Sequence, residues 1–127
     1  MIAIDTSALM AVVLGEGDAG ACIKVLEAET EVLISAGTAA EAFIVAARRN
    51  VVDEMERLIE GLGFEVLPIT LASARRVAQV YRRWGKGFDP AGLNFGDCFA
   101  YQIAKEHSCR LLFVGGDFSK TDIASAL

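Results

Sequence analysis

The chain opens Met1-Ile2-Ala3-Ile4-Asp5-Thr6-Ser7-Ala8-Leu9, and the remaining segments can be ordered around this one. Ile2 to Asp5 is short, apolar and β-branched and ends on an acid, which suits a buried strand whose last residue points out of the sheet edge. Ser7 to Leu14 then has helical composition, so the opening is a strand running into a helix. Val32 to Ser35 and Leu111 to Val114 are apolar runs of the same kind, and Glu65 to Ile69 is a further strand candidate. Between them lie the helical segments Ala19 to Ala28, Thr38 to about Arg49, Val52 to Leu62, Thr70 to about Trp84 and Phe95 to His107. Thr38 and Thr70 are candidate caps, and Gly15, Gly17, Gly20, Gly61 and Gly63 are punctuation. The tail from Asp122 also has helical composition. Apolar strands without clean alternation, separated by helices, predict an α/β protein with a parallel sheet covered on both faces.

Composition agrees and narrows the class. The 127 residues are 54% hydrophobic with only 2 Pro, which fits a single domain with a real core and is far from the signature of disorder. Uncharged stretches such as Thr6 to Gly15 and Val32 to Ala40 fall short of the roughly 18 apolar residues of a membrane-spanning helix. No Lys or Arg precedes Lys24, so a secretory signal is not expected and a cytoplasmic location is. Cys22, Cys98 and Cys109 form no CxxC pair and His107 is the only histidine. Neither a disulfide framework nor a zinc site is therefore spelled out. Twelve basic against seventeen acidic residues give a net charge of -5, so binding to a phosphate backbone needs something cationic to mediate it.

In an open parallel sheet, ligands bind outside the carboxyl ends of the strands. Four acids are predicted at that edge: Asp5 ending the first strand, Glu41 after the second, Asp97 in the first turn of the helix before the last, and Asp117 just after it. Thr38-x-x-Glu41 and Asn94-x-x-Asp97 each have capping-box spacing, which by itself accounts for two of the acids. Four carboxylates from distant parts of the chain at one edge would raise one another's pKa values unless a cation were bound. Mg²⁺ or Mn²⁺ suits such a site, as a hard ion that takes oxygen ligands and keeps places for water and phosphate oxygens.

Other motifs carry less. Gly15-Glu16-Gly17-Asp18-Ala19-Gly20 matches GxGxxG, but a helical run separates it from the strand and its acids would repel a pyrophosphate. A phosphatase with an aspartyl nucleophile would want an acid two residues after Asp5, where Ser7 stands. His107 lies about 15 Å along the helix from Asp97 at 1.5 Å per residue, too far to activate a nucleophile beside it. On the segment from Thr70 to Trp84, helical periodicity puts Arg75, Arg76, Arg82, Arg83 and the following Lys86 on one side. Leu71, Ala74, Val77, Ala78, Tyr81 and Trp84 fall on the other. The basic side is either a solvated face or a local stripe that receives RNA phosphates.

With the acids in place, the chain resembles the PIN-domain ribonucleases, and among them the VapC-type toxins of bacterial toxin–antitoxin pairs. The resemblance rests on the opening segment, on Thr38-Ala39-Ala40-Glu41, on Asn94-Phe95-Gly96-Asp97-Cys98-Phe99-Ala100-Tyr101, and on Leu111-Leu112-Phe113-Val114-Gly115-Gly116-Asp117-Phe118 followed by Thr121-Asp122-Ile123. It runs nearly end to end and implies that residues 1–127 form a single PIN domain, a three-layer α/β/α fold around a parallel sheet of four or five strands. It implies Asp5, Glu41, Asp97 and Asp117 as catalytic and metal-binding acids, with Ser7 and Asn94 in support. Many members carry another Asp two residues before the last acid, where this chain has Gly115. The implied activity is Mg²⁺- or Mn²⁺-dependent hydrolysis of RNA phosphodiesters, with transfer RNA in the common target class. The implied partners are a VapB-type antitoxin, whose arginine-bearing tail fills the acidic groove, and a second copy in a homodimer. The alternative is a catalytically inert module of the same fold that acts by binding RNA or protein.

Overall fold

The computed structural model describes residues 1–127. Its strands are β1 (Ile2–Ile4), β2 (Val32–Ser35), β3 (Glu65–Leu67) and β4 (Arg110–Leu112). All are parallel, in the order β3-β2-β1-β4. The helices are α1 (Thr6–Leu14), α2 (Ala19–Ala28), α3 (Ala36–Arg48), α4 (Val52–Gly61), α5 (Leu71–Trp84) and α6 (Phe95–Glu106).

Alternation within β1 builds the layers. Ile2 and Ile4 face a cluster containing Leu9, Cys22, Ala42 and Met55, and so lie under α1 to α4. Ala3 faces the other way, into a cluster with Val77, Cys98, Ile103 and Leu111 under α5 and α6. This is the expected three-layer α/β/α arrangement, with the central strand wholly buried, as two helical layers over a short parallel sheet require. Each fully buried Ile or Leu is worth about 1.5–3 kcal/mol relative to an exposed one. No helix is long and apolar enough to cross a membrane.

Three expectations need correction. Thr38 does not cap α3: the helix starts directly off β2, Ser35 is its cap, and the Ser35 hydroxyl accepts from the Gly37 amide at 3.1 Å. Thr38 lies inside the first turn, fully buried, with its Oγ1 unpartnered. The tail is not helical. Leu111 N–H donates to the Ala124 carbonyl and Ala126 N–H to the Leu111 carbonyl, a single parallel bridge along the outer edge of β4. A helix of six residues gains too little to form alone, whereas an edge strand offers unpaired backbone groups. On α5, Leu71 is 67% exposed and only Val77 is buried, because this helix packs mainly on α6 and covers little of the sheet.

Candidate active site

The site is assembled at the carboxyl ends of β1, β2 and β4. Asp5 leaves β1 as the cap of α1, and its Oδ2 accepts from the Ser7 amide at 3.0 Å and the Ser7 hydroxyl at 2.7 Å. The same hydroxyl accepts from the Val114 amide at 3.0 Å, so Ser7 ties the end of β1 to the segment leaving β4. Asp5 is 4% exposed, and its Oδ1 is buried with no hydrogen-bond partner. Burial drives its carboxyl above the usual range, Glu41 adds to this, and the Ser7 bonds oppose it.

Asp97 is held by a genuine capping box. Asn94 Oδ1 accepts from the Asp97 amide at 2.9 Å, and Asp97 Oδ2 accepts from the Asn94 amide at 3.0 Å. The box accounts for one carboxylate oxygen only. Asp97 is buried, and its carboxyl is pushed up to about 7: burial is the main cause, the Asn94 amide works against it, and the charges of Asp5, Asp117 and Glu41 add to it. The electrostatics therefore register the four predicted acids as one cluster.

Glu41 sits in the second turn of α3, with Oε1 accepting from the Thr6 hydroxyl at 2.7 Å. Its carboxylate lies against Gly96 in the first turn of α6, where a Cβ would land inside the carboxylate. Asp117 is exposed. It rides on a turn that begins at Gly115, whose φ of 88° is left-handed and favours glycine, and the buried Phe118 anchors the turn against Phe113.

Thr6 and Gly96 were missed by sequence reasoning. Each adjoins one of the acids, Asp5 or Asp97, and a small residue beside an acid was the available signal. The basic stripe is not one face: Arg76 and Arg83 line a cavity between α5 and α6, while Arg75 and Arg82 flank Tyr81 and Phe88 on another side. Lys86 lies in the loop beyond α5, its amide bonded to the Leu93 carbonyl.

The donor set suits a hard divalent cation: every group is a carboxylate, one buried oxygen is orphaned, and mutual repulsion among the acids is relieved by positive charge. No three of them converge closely enough to form a ready-made metal cage, so binding would draw the carboxylates inward.

Against known proteins, the PIN domain family model matches residues 2–124. Ribonuclease VapC42 of Mycobacterium tuberculosis strain H37Rv is 36% identical over 97% of this chain and 97% of its own length. Among solved structures, VapC20 of Mycobacterium tuberculosis, described as a sarcin–ricin loop cleaving toxin, superposes with a TM-score of 0.80. It is 16% identical, and the match covers 98% of this chain and 97% of that one. A toxin–antitoxin complex from Klebsiella pneumoniae contains a chain with a TM-score of 0.75 and 18% identity, covering 100% of this chain and 98% of that one. At those identities the two structures speak to the fold.

Proposed function

The chain belongs to the PIN-domain family, alongside its VapC ribonucleases, and on that premise we propose that it is a metal-dependent endoribonuclease toxin of a toxin–antitoxin pair. The observation that carries the reading is the pair of buried carboxyls, Asp5 and Asp97, both raised by burial and by neighbouring acids, at the carboxyl edge of the sheet with Glu41 and Asp117 beside them. These four would hold Mg²⁺ or Mn²⁺. When bound, the ion supplies water activation near neutral pH and offsets the charge that develops on the phosphate during in-line displacement.

The chain's own groups set the stage for that chemistry. Ser7 fixes the rotamer of Asp5 and couples it to the β4 end. Asn94 fixes Asp97, leaving its second oxygen for the site. Thr6 aims Glu41, and Gly96 leaves room for it. The arginines of α5 and Lys86 supply positive charge for an RNA backbone in a chain of net charge -5. Excess negative charge in the cleft suits an arginine-bearing antitoxin tail of VapB type. A homodimer acting in the cytoplasm on translation-related RNA, including transfer RNA, completes the proposal, with residues 1–127 as one domain. In the test, Asp97→Asn should lose cleavage of RNA while its circular dichroism matches the parent. A variant that cuts at the parent's rate would remove Asp97 from the mechanism.

A further inference from the structure

A second feature lies between α5 and α6, away from the acids. A cavity of about 390 Å³ opens there, within the range of small-molecule sites. Arg76, Arg83 and Lys105 contribute three cations to its lining, and Glu106 the only carboxylate; Trp84 and Tyr101 supply aromatic surface. In a chain of net charge -5 the lining gathers three cations against one carboxylate.

Its parts are pinned. Trp84 Nε1 donates to the Tyr101 hydroxyl at 3.0 Å, and that hydroxyl donates in turn to Asp122. The indole is thereby fixed at its edge, and the Arg83 guanidinium lies over its ring, 4.6 Å from the centroid. Arg76 pairs with Glu106 at 2.7 Å and Lys105 with Asp122 at 3.2 Å. Arg83 has no carboxylate partner.

An ordered guanidinium layered on an indole is a stacking platform for a planar base, and Arg76 two turns back along α5 together with Lys105 across the cavity on α6 suits the attached phosphate. We propose that the α5–α6 cavity binds a nucleotide unit, with the base against the Arg83–Trp84 pair and the phosphate drawn to Arg76 and Lys105. The nucleotide is either free or one residue of an RNA strand outside the cleavage position. Only the second source rests on the ribonuclease reading.

Trp84 is the only tryptophan in the chain, so its fluorescence reports on this cavity directly and without turnover. The full-length protein in chelator would be titrated with adenosine 5′-monophosphate, with a 2′-O-methyl RNA 10-mer and with inorganic phosphate. Arg83→Gln would be run beside the parent, and Lys24→Gln, exposed on α2 and outside both sites, as a control. The proposal expects saturable quenching by the mononucleotide, weakened roughly tenfold in Arg83→Gln, as the loss of one stacking partner implies. Lys24→Gln should leave it unchanged. Equal or tighter binding of the 10-mer would assign the site to RNA, and binding of the mononucleotide alone to a free nucleotide. Absence of quenching by either, an equal response in Arg83→Gln, or the same response to inorganic phosphate would overturn the proposal. Because no cleavage is read, an inactive nuclease with a working cavity is told apart from the reverse.

Discussion

Asp97→Asn is expected to make the metal-free protein more stable while abolishing its activity. The Asp97 carboxyl titrates near 7 in the fold against an ordinary 3.8, mainly through burial and then through Asp5, Asp117 and Glu41. Because the folded-state pKa is the higher one, the folded chain holds the proton more tightly than the unfolded chain. That contribution to stability is fully present below about pH 4, falls as pH rises, and is gone above about pH 7. Three units of difference correspond to roughly 4 kcal/mol of native-state cost at pH 8, at about 1.4 kcal/mol per unit. Asparagine carries no such charge and its Oδ1 can still accept from the Asn94 amide, although a neutral cap gives back about 1 kcal/mol. The net gain is a few kcal/mol, and for a chain of this size each kcal/mol moves the melting midpoint by roughly 3–5 °C. Thermal melts of parent and variant in chelator from pH 4 to pH 8 would measure it. The variant should melt about 10 °C higher at pH 8, and the gap should close near pH 4. Added Mn²⁺ should stabilise the parent alone, by about 2.7 kcal/mol at a concentration one hundred times Kd. A variant that melts at or below the parent at pH 8, or a gap indifferent to pH, would refute the electrostatic account of the cluster.

Three further outcomes follow from individual contacts. Thr38→Val removes a buried hydroxyl with no partner at nearly constant shape, so denaturant unfolding should show a gain of about 1 kcal/mol. Gly96→Ala drives a methyl into the Glu41 carboxylate; cleavage should fall at least tenfold on the proposed reading, and a thermal-stability loss that is much smaller when Gly96→Ala is made in a Glu41→Ala background would trace the effect to this contact. Phe118→Ala removes an almost fully buried ring that anchors the Asp117 turn. Calorimetry should show a loss of about 3–5 kcal/mol, with weaker metal stabilisation in the fraction that remains folded.

Much of this was legible because short parallel strands buried on both faces announce themselves as continuous apolar runs. Ile2 to Ile4 and Val32 to Ile34 could hardly be anything else, and the rule that ligands gather at the carboxyl ends placed Asp5, Glu41, Asp97 and Asp117 together before any coordinates. The order β3-β2-β1-β4 was not legible, because pairing joins residues such as Ala3 and Leu111 that share no local signal. The tail misled because its composition speaks to helix propensity, while its fate was set by the open edge of β4. Thr38 misled because Thr-x-x-Glu fits a capping box in any helix; what decided the cap was that α3 begins without a loop, at Ser35. The arginines of α5 were read as one stripe, yet Arg75 and Arg76 stand about 100° apart around a helix axis, enough for α6 to claim one and leave the other.

The account stands on metal-dependent cutting of RNA by the acidic cluster. The most direct measurement is incubation of the purified chain, free of antitoxin, with a total small-RNA pool in Mg²⁺ or Mn²⁺ and in chelator, beside Asp5→Asn. The account predicts discrete cleavage products with the metal, none in chelator, and none from the folded variant. Intact RNA under every condition, or products undiminished in Asp5→Asn, would contradict it.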